Sequence, residues 1–78
     1  MISQLIGFQP IQFTNNNGEE IKGTNIYITF KDENVTGLRA EKMFIKNGIE
    51  LPKDAKINDT VEIAFNFKGK IESISKAN

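Results

Sequence analysis

Residues 24–30 (TNIYITF) and 60–67 (TVEIAFNF) alternate apolar and polar side chains with a period of two. Only an extended strand places every second residue on one face, so these two stretches commit the chain to β structure. In the first, Ile26, Ile28 and Phe30 face one way while Tyr27 and Thr29 face the other. In the second, Val61, Ile63, Phe65 and Phe67 share a face opposite Glu62, Ala64 and Asn66. Phe30, Phe65 and Phe67 share parity with aliphatic neighbours and are expected in the core.

The remaining segments extend this pattern. Residues 4–14 (QLIGFQPIQFT) read as a long first strand, bent or bulged where Gly7 and Pro10 interrupt it, with Pro10 at a position needing no ladder donor. Residues 35–45 (VTGLRAEKMFI) carry mixed faces. A strand with a bulge is preferred there, although RAEKMF also suits one or two helical turns. Residues 46–59 form a connection punctuated by Asn47-Gly48, Pro52 and Asn58-Asp59. Lys68-Gly69 is a compact hairpin turn, with Gly69 free to adopt positive φ, and KIESIS returns as the last strand. The expected fold is therefore all-β: one domain over residues 1–78, a small five-stranded antiparallel OB-type barrel. A hairpin protrudes at 14–24 and a frayed tail ends the chain at 75–78. An SH3-like barrel is the main structural rival.

Composition narrows function mainly by exclusion. The chain contains no cysteine and no histidine. Disulfides, zinc sites built on thiolate or imidazole, and Ser–His or Cys–His nucleophile pairs are all ruled out. The glycines are scattered among turns rather than gathered before a helix, so no phosphate-cradling loop is present. Asp32 and Glu33 are adjacent and would point apart on a strand. Neither enzymatic activity nor a metal or cofactor is expected. The first ten residues (MISQLIGFQP) lack the basic start of a signal peptide, and no stretch approaches the ~18 apolar residues of a membrane span. A cytoplasmic protein without a membrane partner is the expectation. A domain of 78 residues buries only roughly 60% of its unfolded surface and has no covalent staple here, so a homodimer is expected as well.

Ten basic and ten acidic residues cancel, but unevenly along the chain. Residues 37–48 hold Arg39, Lys42 and Lys46 against Glu41 alone, and residues 65–78 hold Lys68, Lys70 and Lys76 against Glu72 alone. A neutral protein can still present a basic groove if these segments meet in space. Tyr27 sits on the polar parity of its strand, where an aromatic ring can stack on an unpaired base. Phe44, between Met43 and Ile45, is ambiguous in the same way.

The run QFTNNNG followed by KG, a strand bearing a tyrosine, and the closing INDTVEIAFNFKGKIESI resembles the small single-stranded DNA-binding proteins of filamentous phages, the gene V type. The wider sequence also looks like small proteins carried by phages and mobile elements of Gram-positive bacteria. The resemblance implies an OB-type dimer that coats single-stranded DNA, or RNA, without sequence preference during replication. It also implies that the hairpin 14–24 is a nucleic-acid-binding wing. Here that hairpin departs from the family by carrying Glu19 and Glu20 against Lys22, and carboxylates repel phosphates. The contacts are therefore expected at Tyr27, Arg39, Lys42, Phe44 and Lys46, with Lys22, Lys31 and Lys68 in support. The principal alternative is a protein-interaction module on a small β-barrel.

Overall fold

A computed structural model describes residues 1–77. It contains five strands: β1 (Ile2–Thr14), β2 (Glu20–Lys31), β3 (Leu38–Lys46), β4 (Thr60–Phe65) and β5 (Ile71–Lys76). They form one antiparallel sheet in the order β3-β2-β1-β4-β5. The edge strands β3 and β5 share no ladder, so hydrogen bonds do not close the sheet into a barrel. No helix among the described residues is long and apolar enough to cross a membrane.

The register of β1 slips between Leu5 and Gly7, where Ile6 is the extra residue. Before the slip, Ser3 and Leu5 point into the core; after it, Phe8 shares a face with its β2 partner Ile26. One inserted residue thus reverses the parity of the strand and bends it. The first part of β1 pairs with β4, and the last bonds on that side join Leu5 to Asn58 and Asp59 at 2.6 and 2.9 Å. Beyond Gly7 only β2 remains as a neighbour. Asn47 donates its backbone N–H to the Lys22 carbonyl, so the even residues at that end of β2 turn their backbone groups toward β3. Thr24 and Pro10 are then a non-hydrogen-bonded pair. The ring nitrogen of Pro10 faces the open side, where no donor is needed.

The core is aliphatic and small: Leu5, Ile26, Ile28, Ile45, Val61, Ile63 and Ile74. Phe30, Met43 and Ile71 pack against it from the strands, and Ile49, Leu51 and Ala55 from the connection between β3 and β4. That connection is held to β5, where Lys76 lies 3.3 Å from Asp54 and 3.6 Å from Asp59.

Four expectations need correction or refinement. Residues 39–45 lie wholly in β3, an unbroken strand with no bulge, because its nine residues pair continuously with β2. Phe67 is not in the core: it is 96% exposed, and Phe65 is 39% exposed. The register slips between Ala64 and Phe65, and the turn begun by Asn66 ends the alternation. Residues 75 and 76 are not frayed, since Ser75 pairs with Glu62, Lys76 with Val61, and Ala77 donates to the Thr60 carbonyl; Asn78 lies outside the described residues. The hairpin expected at 14–24 is ladder over much of its length. Its loop is 15–19, and it runs past β3, which stops at the pair Gly23–Lys46, by the pairs Gln12–Lys22, Phe13–Ile21 and Thr14–Glu20.

Two strand glycines accommodate aromatic rings. A Cβ on Gly7 would meet the Tyr27 ring at 3.5 Å, an ordinary contact, whereas one on Gly23 would collide with both the Phe44 ring and the Ile45 carbonyl oxygen. Gly23→Ala should therefore destabilise the protein by ~1–3 kcal/mol through overpacking. Gly7→Ala should be neutral or slightly stabilising, because alanine restricts the unfolded chain more than glycine does. Urea unfolding of both variants checks this; equal midpoints would mean that Phe44 does not rest on Gly23.

Candidate nucleic-acid interface

Directly opposed residues in a ladder project from the same face, so the register between β2 and β3 determines which side chains meet. Tyr27 opposes Lys42, Asn25 opposes Phe44, Gly23 opposes Lys46 and Lys31 opposes Leu38. Tyr27, Lys31, Lys42, Phe44 and Lys46 therefore stand together on the face turned away from Ile26 and Ile28. On β1 the same face continues through Gly7, Gln9, Ile11 and Phe13. No carboxylate occurs on this face from Gly7 to Phe13, along β2 or along β3.

The two aromatic residues are bedded on the backbone. The Tyr27 ring lies over Gly7 on β1, and the half-exposed Phe44 ring lies over Gly23 on β2. A ring resting on a glycine strand stays close to the sheet and forms a low platform for a planar group. Lys31, Lys42 and Lys46 are exposed and take part in no ion pair among the described residues.

Arg39 and Lys22 are set apart from this group. Arg39 opposes Phe30 on the other face, with its guanidinium 5.9 Å from that ring's centroid. It bonds Asp32 at 2.9 Å and Glu41 at 2.8 Å. These two carboxylates raise its pKa above the ordinary value and balance its charge. The backbone N–H of Asn34, and then Arg39, hold the Asp32 carboxyl below its ordinary value of 3.8. Lys22 also faces the other side and lies 3.4 Å from Glu20, which accepts a hydrogen bond from Gln12 as well.

Lys68 lies in the turn between β4 and β5, which repeats the turn between β1 and β2 almost bond for bond. In the first, the Asn15 side-chain oxygen accepts from the backbones of Asn17 and Glu19, and Gly18 donates to the Asn15 carbonyl. In the second, the Asn66 oxygen accepts from Lys68 and Lys70, and Gly69 donates to the Asn66 carbonyl. Gly18 and Gly69 both adopt positive φ, at 78° and 80°. The two loops differ in chemistry. The first presents Asn16, Asn17 and Glu19; the second presents Phe67, Lys68 and Lys70.

Beside the second loop, a cleft of about 490 Å³ separates Met43, Phe44 and Lys46 of β3 from Phe65, Lys70 and Ile71 of the last hairpin. The two cation-rich segments meet at this cleft. Phe65, Phe67 and Lys70 were not among the expected site residues. The repeated spacing Asn-x-x-Gly at residues 15–18 and 66–69 is the sequence signal that separates Phe67 from the core. No family model, curated protein or solved structure matches the chain.

Because Arg39 is balanced by two carboxylates, Arg39→Gln should alter stability without changing the salt dependence of any anion binding, unlike Lys42→Gln. The depressed Asp32 pKa stabilises the fold above the group's unfolded value near 3.8. That contribution is lost as pH falls through the lower folded value. Acid unfolding of Asp32→Asn followed by circular dichroism should lack this component and should lose stability at neutral pH. An unchanged acid limb would exclude the Asp32 contribution.

Proposed function

We propose that this protein binds single-stranded nucleic acid without sequence preference, with single-stranded DNA as its main ligand. The reading rests chiefly on one observation. In a chain of zero net charge, Tyr27, Phe44 and three lysines without an ion pair among the described residues share a face of β2 and β3 on which neither strand places a carboxylate. Aromatic rings stack on bases of any identity, and lysines neutralise phosphates, so the combination favours binding that tolerates any sequence. The strand order, with β3 and β5 as facing edges, supports an OB-type barrel. That fold binds oligonucleotides on its second and third strands and on the loops after β1 and β4.

On this reading the nucleic acid crosses the outer face of β2 and β3 and meets the loop 66–70. The acidic loop 15–19 stays clear of the phosphates. The resemblance to gene V type proteins supports a cytoplasmic role in replicating a phage or mobile element, carried out by a homodimer. The exposed Phe8 and Phe13 and the open side of β1 offer a surface for the second copy. Those same features favour the alternative reading, a module that binds a different protein.

Titration of labelled oligo(dT) at several salt concentrations tests the proposal. Binding should have a shallow salt slope, and Lys42→Gln and Lys46→Gln should each reduce it by about 0.7. Tyr27→Ala should weaken binding by ~1–3 kcal/mol. Phe67→Ala should weaken it too, without moving the unfolding midpoint, since a ring 96% exposed contributes little to the core. Absence of oligo(dT) binding would reject the proposal and favour the protein-interaction module. Sedimentation equilibrium checks the assembly: a monomer at tens of micromolar would remove the dimer.

A further inference from the structure

We infer that the cleft between β3 and the last hairpin is a pocket for one unstacked nucleobase, filled as a single strand leaves the outer face of the sheet. The inference rests on the proposed function and adds a site to it. The cleft, about 490 Å³, falls within the ~300–1,000 Å³ range of small-ligand sites. Its lining suits a flat apolar group with charged neighbours. Met43 and Ile71, both packed against the core, supply the floor, and the half-exposed rings of Phe44 and Phe65 line the sides. Lys46 on β3 and Lys70 on the hairpin contribute the cations, and no carboxylate lines the cleft. Neither lysine makes an ion pair among the described residues.

Two further features favour a base over a peptide side chain. The Asn66 oxygen is occupied by the backbone N–H groups of Lys68 and Lys70, which fixes the orientation of the amide. Its –NH2 group donates no hydrogen bond within the described residues, and Asn66 is one of the residues lining the cleft, so this amide is a free donor for a carbonyl on a base edge. Phe44 joins the two surfaces, since its ring lies over Gly23 on the outer face and also lines the cleft. A strand stacked on Tyr27 and then Phe44 meets the cleft next, and Lys46 and Lys70 lie where phosphates on either side of the inserted base would pass. Phosphates are the anions these unpaired cations fit, whereas an apolar peptide would leave both without a counter-charge.

Oligo(dT) carrying single 5-iododeoxyuridine residues, photo-crosslinked to the intact protein, tests the pocket directly. Crosslinks should map to Phe44 or Phe65. Phe65→Leu preserves apolar bulk but removes the ring, and should weaken oligo(dT) binding about tenfold. Lys70→Gln, an exposed change that does not touch the core, should reduce the salt slope by about 0.7. If Phe65→Leu fails to fold, the wild-type crosslinks and the Lys70→Gln slope decide the matter. Should the protein bind oligo(dT) in a Tyr27-dependent way while crosslinks avoid the cleft and the Lys70→Gln slope is unchanged, the pocket is overturned and the proposed function stands. If the wild type does not bind oligo(dT), both fall.

Discussion

The extra residue in β1 governs both the core and the outer face of the sheet. A strand of thirteen residues cannot keep one face on a core this small, and without a slip its parity would set Phe8 on the outer face and Gly7 on the inner one. Placing Ile6 outside the ladder lets Ser3 and Leu5 fill the core while Gly7 turns outward. The bend also ends the contact with β4, so the far half of β1 pairs with β2 alone, and its last pairs, Gln12–Lys22 to Thr14–Glu20, extend past β3 as a two-stranded arm. Gly7 then serves a second purpose as the surface on which Tyr27 rests. The same slip that completes the core therefore prepares the outer face.

Electrostatics divides the surface where composition reports only a balance. Many of the acids are engaged by particular cations: Asp32 and Glu41 with Arg39, Asp54 and Asp59 with Lys76, Glu20 with Lys22, and Glu62 with the amino terminus. Exposed pairs of this kind add little to stability, on the order of 0–1 kcal/mol each. Their main consequence is for the field. A paired charge contributes little beyond the screening length of roughly 8–10 Å, while Lys31, Lys42, Lys46, Lys68 and Lys70 have no ion-pair partner among the described residues. Net charge is therefore a poor guide for this chain; the allocation of partners matters more.

Much of the architecture was legible in the sequence because it depends on local rules. Period-two alternation marked β2 and β4, Gly7 marked the irregularity in β1, and Gly69 marked the last turn. The candidate face was partly legible as well, since Tyr27 stands on the polar parity of its strand and Lys42, Phe44 and Lys46 share a parity on theirs. β3 was the difficult segment. Leu38 and Phe44 lie on its outer face and Arg39 and Glu41 on its inner one, so its alternation is blurred. The position of Arg39 depends on a bond to Asp32, seven residues away across a hairpin, which no periodicity can reveal. At Phe67 two local rules conflicted. Alternation continued through the residue, but the asparagine turn beginning at Asn66 prevailed, because its side chain satisfies two backbone donors that a longer strand would have to pair elsewhere.

The two matching turns show how far the scaffold and its chemistry are separable. In both, one asparagine oxygen gathers two backbone N–H groups and one glycine supplies the positive φ, so the positions between and after them do not have to hold the turn together. Those positions can carry any chemistry without cost to the hairpin. In the loop between β1 and β2 they are neutral and acidic; in the loop between β4 and β5 they are aromatic and basic. The two arms differ in surroundings as well. The first stands beyond the end of β3 with no third strand beside it, and the second borders a cleft against Phe44 and Lys46. An exposed phenylalanine has no folding reason to occupy such a loop, where any polar residue would serve. On the proposed function, a loop that carries this ring and two lysines without an ion pair among the described residues, and that contributes Asn66, Gly69 and Lys70 to the cleft, makes the last hairpin rather than the long polar one the better-equipped arm for nucleic acid.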